Sequence, residues 1–183
     1  DLLAPGFRLL TISYRGNPLN EGIYRKGLIG LAKADLEFHT RALDAVLKDR
    51  VGGRALAVEG PAVVTEASGG IPGVPFYMTL LLDVMGDRFE DPLASMQLMF
   101  ADKHPPGGEP AVDDEGLVRM DDRELAADVV AAMAARFAAY QVGDAFDDAL
   151  HDRFIAEYAR TRGFAVEGVD YAAEFDTDAI CRP

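Results

Sequence analysis

The hydrophobic positions change period along the chain, and the changes predict its elements. Residues 7–14, FRLLTISY, carry β-branched and aromatic side chains between APG and RGNP, the pattern of a strand ending at Tyr14. From Gly27 the period lengthens. Leu28, Leu31, Ala32, Leu36, His39, Leu43 and Val46 recur at three- and four-residue steps, the stripe of an amphipathic helix, and Gly52 and Gly53 supply its stop. On this phase His39 belongs to the core or its rim. RALAVEGPAVVT (54–65) returns to a strand pattern, with the apolar run Ala62–Thr65 at its end. Strand, helix, strand is the βαβ unit of a parallel sheet. EASGGIPGVP (66–75) reads as a Gly/Pro-rich loop. Helices are predicted over 75–86 and 91–102, a break over 104–110, and a short strand at GLVRM. An alanine-rich helix over 121–141 is opened by Asp121 and Asp122, another spans 145–162 before Gly163, and the tail from 172 is irregular. There is no internal repeat. The fold class is α/β, one unit over residues 1–183.

Length and composition narrow the class. At 183 residues, 49% hydrophobic and 27% charged, the chain can bury a core of its own but not two comfortable ones. MTLLLDVM, its longest apolar run, is far short of the roughly 20 residues of a membrane span and contains Asp83. No secretory signal is visible and the first residue is Asp1, so a processed chain or a piece of a longer one is expected. The single cysteine, Cys181, excludes an internal disulfide framework and a cysteine-based zinc site, and a cytoplasmic location is expected.

Net charge is −13, unevenly spread: residues 1–60 balance at +2 and residues 61–183 at −15. Nucleic acid is an unfavourable partner for so acidic a chain. An anionic cofactor is better placed in the first third, beside Arg8, Arg15, Arg25, Lys26 and Lys33. A surface that simply promotes solubility accounts for the charge equally well.

IYRKGLIGLAK (23–33) holds the sharpest candidate chemistry, Tyr24 and Lys33. A nearby cation can hold a phenol below its ordinary pKa of about 10, and a lysine can also hold ribose hydroxyls. Nine residues of continuous helix make about 2.5 turns and would aim the two side chains apart, so Tyr24 must lie before the regular helix. The plain alternative is a Tyr and a Lys flanking a helix start. Tyr14 ends a strand, where ligands bind in open α/β sheets, although a buried Tyr with a satisfied hydroxyl fits such a position too. Ala62–Thr65 with the loop after it suits a cofactor-contacting turn or an ordinary connection. His39, His104 and His151 have no metal-ligand spacing, and neither a serine nucleophile elbow nor a G-x-G-x-x-G turn is present.

TISYRGNPLNEGIYRKGLIGLAKADLE, GPAVVTEASGGIPGVPFYMTLLLDVM, DDRELAADVVAAM and RGFAVEGVDYAAEFD together resemble the C-terminal half of the long trans-2-enoyl-CoA/ACP reductases, in order and over nearly the whole chain. The resemblance implies part of a Rossmann-like parallel sheet with flanking helices and a helical C-terminal portion. It implies Tyr24 as proton donor and Lys33 as the lysine that binds the nicotinamide ribose and tunes Tyr24 downward. Tyr14 and Tyr77 would contact substrate, and apolar residues around Ile71–Leu82 would line an acyl channel. Ala62, Val63, Val64 and Thr65 would contact NADH, with no metal. The implied activity is reduction of enoyl-CoA or enoyl-ACP in fatty-acid metabolism.

Two departures stand out. Arg25 and Lys26 replace the family's usual aromatic and acidic or polar residues after the tyrosine, which is expected to make the local field more positive. The glycine-rich dinucleotide turn belongs to a preceding N-terminal half that this sequence lacks, so that half is an expected partner, as a separate or further segment. A non-redox binding or assembly module derived from the family is the other reading.

Overall fold

The structure, a computed structural model, describes residues 2–174 and 176. Its centre is a three-stranded parallel sheet in the order β1 (Arg8–Ser13), β2 (Arg54–Glu59), β3 (Val118–Arg119). Arg8 pairs with Arg54 and Ser13 with Glu59, while Val58 pairs with Val118, so the carboxyl ends of the strands lie side by side. β2 is buried from Ala55 to Glu59, as the middle strand of a parallel sheet covered on both faces must be. It stops six residues before the predicted end. Residues 60–65 continue without ladder partners, so Ala62–Thr65 is a connection beyond the strand rather than its last turn.

The β1-to-β2 crossover contains a single turn, α1 (Glu21–Tyr24), and the long helix α2 (Leu28–Val51), which ends at Gly52 in the left-handed conformation. The predicted stripe has the right period and the wrong phase. Leu28, Leu31, Leu43 and Val46 are exposed, as is His39, which therefore belongs to neither core nor rim. The face against the sheet is Gly30, Lys33, Glu37, Thr40, Asp44 and Leu47, which also recurs at three- and four-residue steps. It docks through hydrogen bonds: Thr40 to Thr11 at 2.8 Å, Ser13 to Glu37 at 2.9 Å, and the Ala55 N–H to Asp44 at 2.9 Å.

Beyond β2 the predicted 66–75 loop contains one helical turn, α3 (Glu66–Gly70), closed by a reciprocal capping box between Thr65 and Ser68. Gly73, at φ 82°, makes the left-handed step into α4 (Val74–Met85), and Pro75 suits that helix's first turn. α4 is the core helix. Met78, Leu80 and Leu81 are at most 1% exposed and pack with Val129, Met133 and Phe154. α5 (Pro92–Leu98) is capped by Asp91 and runs into a π turn at Met99–Lys103.

α6 spans Ala127–Ala138 and α7 spans Asp148–Arg160, both shorter than predicted. Residues 121–126 are turns rather than helix, because Asp121 and Glu124 are buried and face inward instead of capping a helix from solvent. The Arg119 guanidinium engages Asp121 at 2.7 Å. Among the described residues no helix is long and apolar enough to cross a membrane. Of the expected irregular tail, 172–174 follows a turn; Cys181 lies outside the described residues.

Candidate functional site

A cavity of about 520 Å³ opens at the carboxyl ends of β1 and β2. Strand ends leave backbone groups and outward side chains there, which is why open α/β sheets bind ligands at this edge. The cavity gathers Tyr14, Tyr24, Lys33, Ala62, Val63, Thr65 and Tyr77 from five separate stretches of chain. Val64 is the one predicted site residue that does not line it; its side chain is fully buried among Val74, Leu80 and Val129. Ile71, Val74 and Met78 give the remaining wall an apolar character, whereas Leu80, Leu81 and Leu82 face the core.

Tyr24 ends α1 and three residues, 25–27, separate it from α2, so the helical opposition that nine residues would impose does not arise. Gly30 makes this possible. A Cβ there would sit 2.5 Å from the Arg25 backbone, so only glycine lets the 24–27 segment lie against the first turns of α2. The Tyr24 ring meets Tyr14 edge-on, with centroids 4.6 Å apart. Burial, with the Glu124 charge adding to it, raises the Tyr24 pKa. Burial and the Glu124 charge are the causes of this shift, and Lys33 is not among them. A raised value keeps the phenol protonated and able to donate.

Lys33 is half-buried, and burial lowers its pKa against the opposing pull of Glu59 and Glu37. Neither the Lys33 ammonium nor the Tyr24 hydroxyl has a hydrogen-bond partner or ion pair among the described residues. Four other cations near Lys33 in the sequence, Arg8, Arg15, Arg25 and Lys26, are committed. Arg25 and Arg15 both hold Glu37, at 3.1 and 2.9 Å, Lys26 holds Glu21, and Arg8 donates to the Gly108 carbonyl at 2.8 Å. The more positive field expected from Arg25 and Lys26 is therefore cancelled locally.

Two buried carboxyls flank the cavity, and sequence reasoning missed both. Glu124, 1% exposed, accepts the Tyr14 hydroxyl at 2.7 Å and the Tyr77 hydroxyl at 2.5 Å on one oxygen. Its other oxygen accepts the Ala62 N–H at 2.7 Å. Asn20 donates to the Tyr14 oxygen at 2.9 Å and Asn17 to the Tyr77 oxygen at 2.6 Å. Burial raises the Glu124 pKa despite these three donors. Glu59, at the end of β2, is fully buried and has no hydrogen-bond partner on either oxygen among the described residues. Burial and the neighbouring Glu37 charge push it up to about 7, while Glu37 itself, held by Arg15, Arg25 and Ser13 against its own burial, falls to about 2. In the sequence Glu124 sits in an acidic stretch that looks solvated, and nothing local distinguishes it.

Comparison with known proteins bears on this arrangement. The family described as the trans-2-enoyl-CoA reductase catalytic region matches residues 1–104, and one described as the enoyl reductase FAD binding domain matches 112–175. An enoyl-[acyl-carrier-protein] reductase [NADH] of Streptomyces avermitilis is 42% identical over 97% of this chain, and one of Opitutus terrae is 38% identical over 96%. The crystal structure of Clostridium acetobutylicum trans-2-enoyl-CoA reductase in complex with NAD superposes with a TM-score of 0.85 at 30% identity, covering 99% of this chain and 47% of that one. The chain spans 44% and 45% of the length of those two curated relatives.

The residues of 112–175 do not fit a flavin. That segment lends the main cavity only Met120. Of its six arginines, Arg119, Arg123, Arg136, Arg160 and Arg162 are paired with acids, which leaves only Arg153 for a pyrophosphate. A second cavity of about 370 Å³ beside α7 presents Asp87, Asp91 and Glu157 with Arg153 and Arg160; Arg160 is engaged by Asp91 and Glu157, so three acids face one uncommitted guanidinium, a poor setting for an anionic cofactor. With the first 104 residues matched to the catalytic region and relatives more than 30% identical along nearly its whole length, the chain belongs to the trans-2-enoyl-CoA/acyl-carrier-protein reductase family.

Proposed function

We propose that this chain forms the catalytic half of an NADH-dependent reductase of trans-2-enoyl thioesters carried on CoA or on acyl-carrier protein. The observation that carries the reading is that a phenol, Tyr24, and an ammonium, Lys33, neither with a hydrogen bond or ion pair among the described residues, line one otherwise largely apolar cavity. An apolar cleft with a few convergent polar groups is what an acyl chain ending in a reactive carbonyl requires. Lys33 and the backbone of Ala62–Thr65 would hold the nicotinamide ribose end of the cofactor. When bound, NADH supplies a hydride to the β-carbon. Charge then builds on the thioester oxygen, and the Tyr24 hydroxyl, protonated and uncommitted, donates to it and supplies the proton that completes the reduction. The Lys33 ammonium adds a positive charge beside that developing negative charge and orients the ribose.

The reading includes a dinucleotide-binding half as partner, since no G-x-G-x-x-G turn lies in these 183 residues to hold a pyrophosphate. Calorimetry on the isolated chain is expected to show weak NADH binding; tight binding would make that half dispensable. In the complete assembly, Tyr24→Phe is expected to lower kcat by about a hundredfold or more with little change in melting temperature. Lys33→Ala is expected to weaken NADH binding as well as turnover. A Tyr24→Phe protein that reduces a short trans-2-enoyl-CoA at the wild-type rate removes Tyr24 from the reaction. A complete assembly that binds the thioester but never oxidises NADH would instead be a non-redox binding module.

A further inference from the structure

The Tyr14 hydroxyl has one proton, and in the structure that proton goes to Glu124 rather than to the cavity that the Tyr14 ring lines. Its oxygen already receives Asn20. While Glu124 is a carboxylate, both of its phenol partners must donate to it, because an ionised carboxylate can only accept. A substrate oxygen in the cavity then meets a single phenol donor, Tyr24. Protonation of Glu124 on the oxygen shared by the two phenols reverses the local direction. The carboxyl becomes the donor to a phenol oxygen, and the Tyr14 proton is released to point into the cavity, while Ala62 still has its acceptor on the other oxygen.

We propose that Glu124 is a positioning residue of the reduction, a buried carboxyl whose protonation turns the Tyr14 hydroxyl from the protein network toward the thioester oxygen. The role rests on the enoyl-thioester reading above, and it explains why a fully buried acid is tied to two tyrosines and to the connection after β2. Its direction of action follows from its neighbours. Tyr14 from the end of β1, Tyr24 from α1, Tyr77 from α4, and Asp121 with its Arg119 partner from beyond β3 face it. Of these only Asp121 is anionic and its charge is engaged by Arg119; Arg88 and Arg123, which line a small cavity with Glu124 and Glu90, are themselves paired with Asp128 and Glu90, so among the described residues no uncommitted cation beside Glu124 holds it ionised. Activity should therefore fall as pH rises through the Glu124 pKa, because the ionised form withdraws the Tyr14 donor.

Glu124→Gln tests this. An amide with its oxygen on the Ala62 N–H turns its NH₂ toward both phenols, which reproduces the protonated carboxyl at every pH. In the complete assembly, with NADH and trans-2-butenoyl-CoA, the wild type is expected to lose kcat about tenfold per pH unit on its alkaline limb. Glu124→Gln is expected to lack that limb and to outpace the wild type there. An alkaline limb unchanged by Glu124→Gln overturns the inference, since it then belongs to another group such as Lys33. Wild-type turnover with a flat profile also overturns it while leaving the reductase reading intact. A complete assembly with no turnover at any pH sinks both. Should Glu124→Gln not fold, Glu59→Gln, which deletes the buried acid that has no hydrogen bond of its own among the described residues, carries the test. Its remaining buried-carboxyl infrared band must titrate together with kcat, and a kcat that stays constant while the band disappears overturns the proposal.

Discussion

Glu124 and Glu59 are both buried acids beside the same cavity, and the fold treats them in opposite ways. Glu124 arrives from a turn before α6 and is met by three donors, two phenols and a backbone N–H, with no cation among them. Glu59 ends β2 beside two guanidiniums, yet both go to Glu37, and Glu59 keeps only a 3.4 Å approach from Arg15. Hydrogen bonds satisfy the first acid, and the second is left without one among the described residues, beside another carboxyl and one guanidinium. A buried acid surrounded by donors ties elements together; a buried acid beside another is a strain on the fold unless it takes up a proton.

That contrast can be broken most forcefully at Glu124. Glu124→Ala strands the hydroxyls of Tyr14 and Tyr77 and the Ala62 N–H, at about 1–3 kcal/mol for each buried group left unmade, so a loss of roughly 3 kcal/mol or more is expected in denaturant unfolding of this chain. A loss below about 1 kcal/mol would mean that water replaces the carboxyl and that the network holds nothing together.

At Glu59 the expected sign is opposite and depends on pH. A carboxyl whose folded pKa is raised to about 7 contributes its full stability below its unfolded pKa of about 4.5 and loses it as pH rises through 7. Glu59→Gln removes that loss. The variant should gain roughly 2 kcal/mol on the wild type at about pH 8 and little at about pH 5, read as paired thermal melts. Equal gains at the two pH values would show that the Glu59 proton is not what differs.

The smallest effect sharpens the comparison without destroying the network. Tyr77→Phe removes one of the three donors to Glu124 and leaves Asn17 without its acceptor, at a cost of about 1–2 kcal/mol. Because the lost hydrogen bond favoured the carboxylate, the Glu124 pKa should rise further and any alkaline limb in kcat should move to higher pH. A limb that moves to lower pH would contradict the assignment of Glu124 to it.

The helices show what periodicity could and could not supply. α4 was legible because apolar residues occupy nearly all its positions and any phase buries them; the prediction and the structure differ there by one residue at each end. In α2 two stripes share the same spacing. The apolar one, Leu28, Leu31, Leu43 and Val46, points outward, and the one that docks on the sheet carries Lys33, Glu37, Thr40 and Asp44. Hydrophobicity selected the wrong stripe because this helix docks mainly through hydrogen bonds to strand side chains and backbone, which burial scales count as unfavourable. Residues 121–126 failed for a related reason: two aspartates ahead of an alanine run look like a solvent-exposed helix start, and only inward-facing partners reveal Asp121 and Glu124 as buried.

The sequence by itself determined the parallel βαβ order, the apolar core helix, and the residue types gathered at the strand ends, because local periodicity and turn chemistry act over a few neighbouring residues. Tertiary structure alone decided the direction of each polar group. It placed Tyr24 off the helix through the close approach at Gly30, joined Tyr14 and Tyr77 to Glu124 across separations of 110 and 47 residues, and assigned both guanidiniums to Glu37 at the expense of Glu59. A hydrogen bond depends on distance and angle between groups far apart in the chain, and no pattern read along one segment contains either.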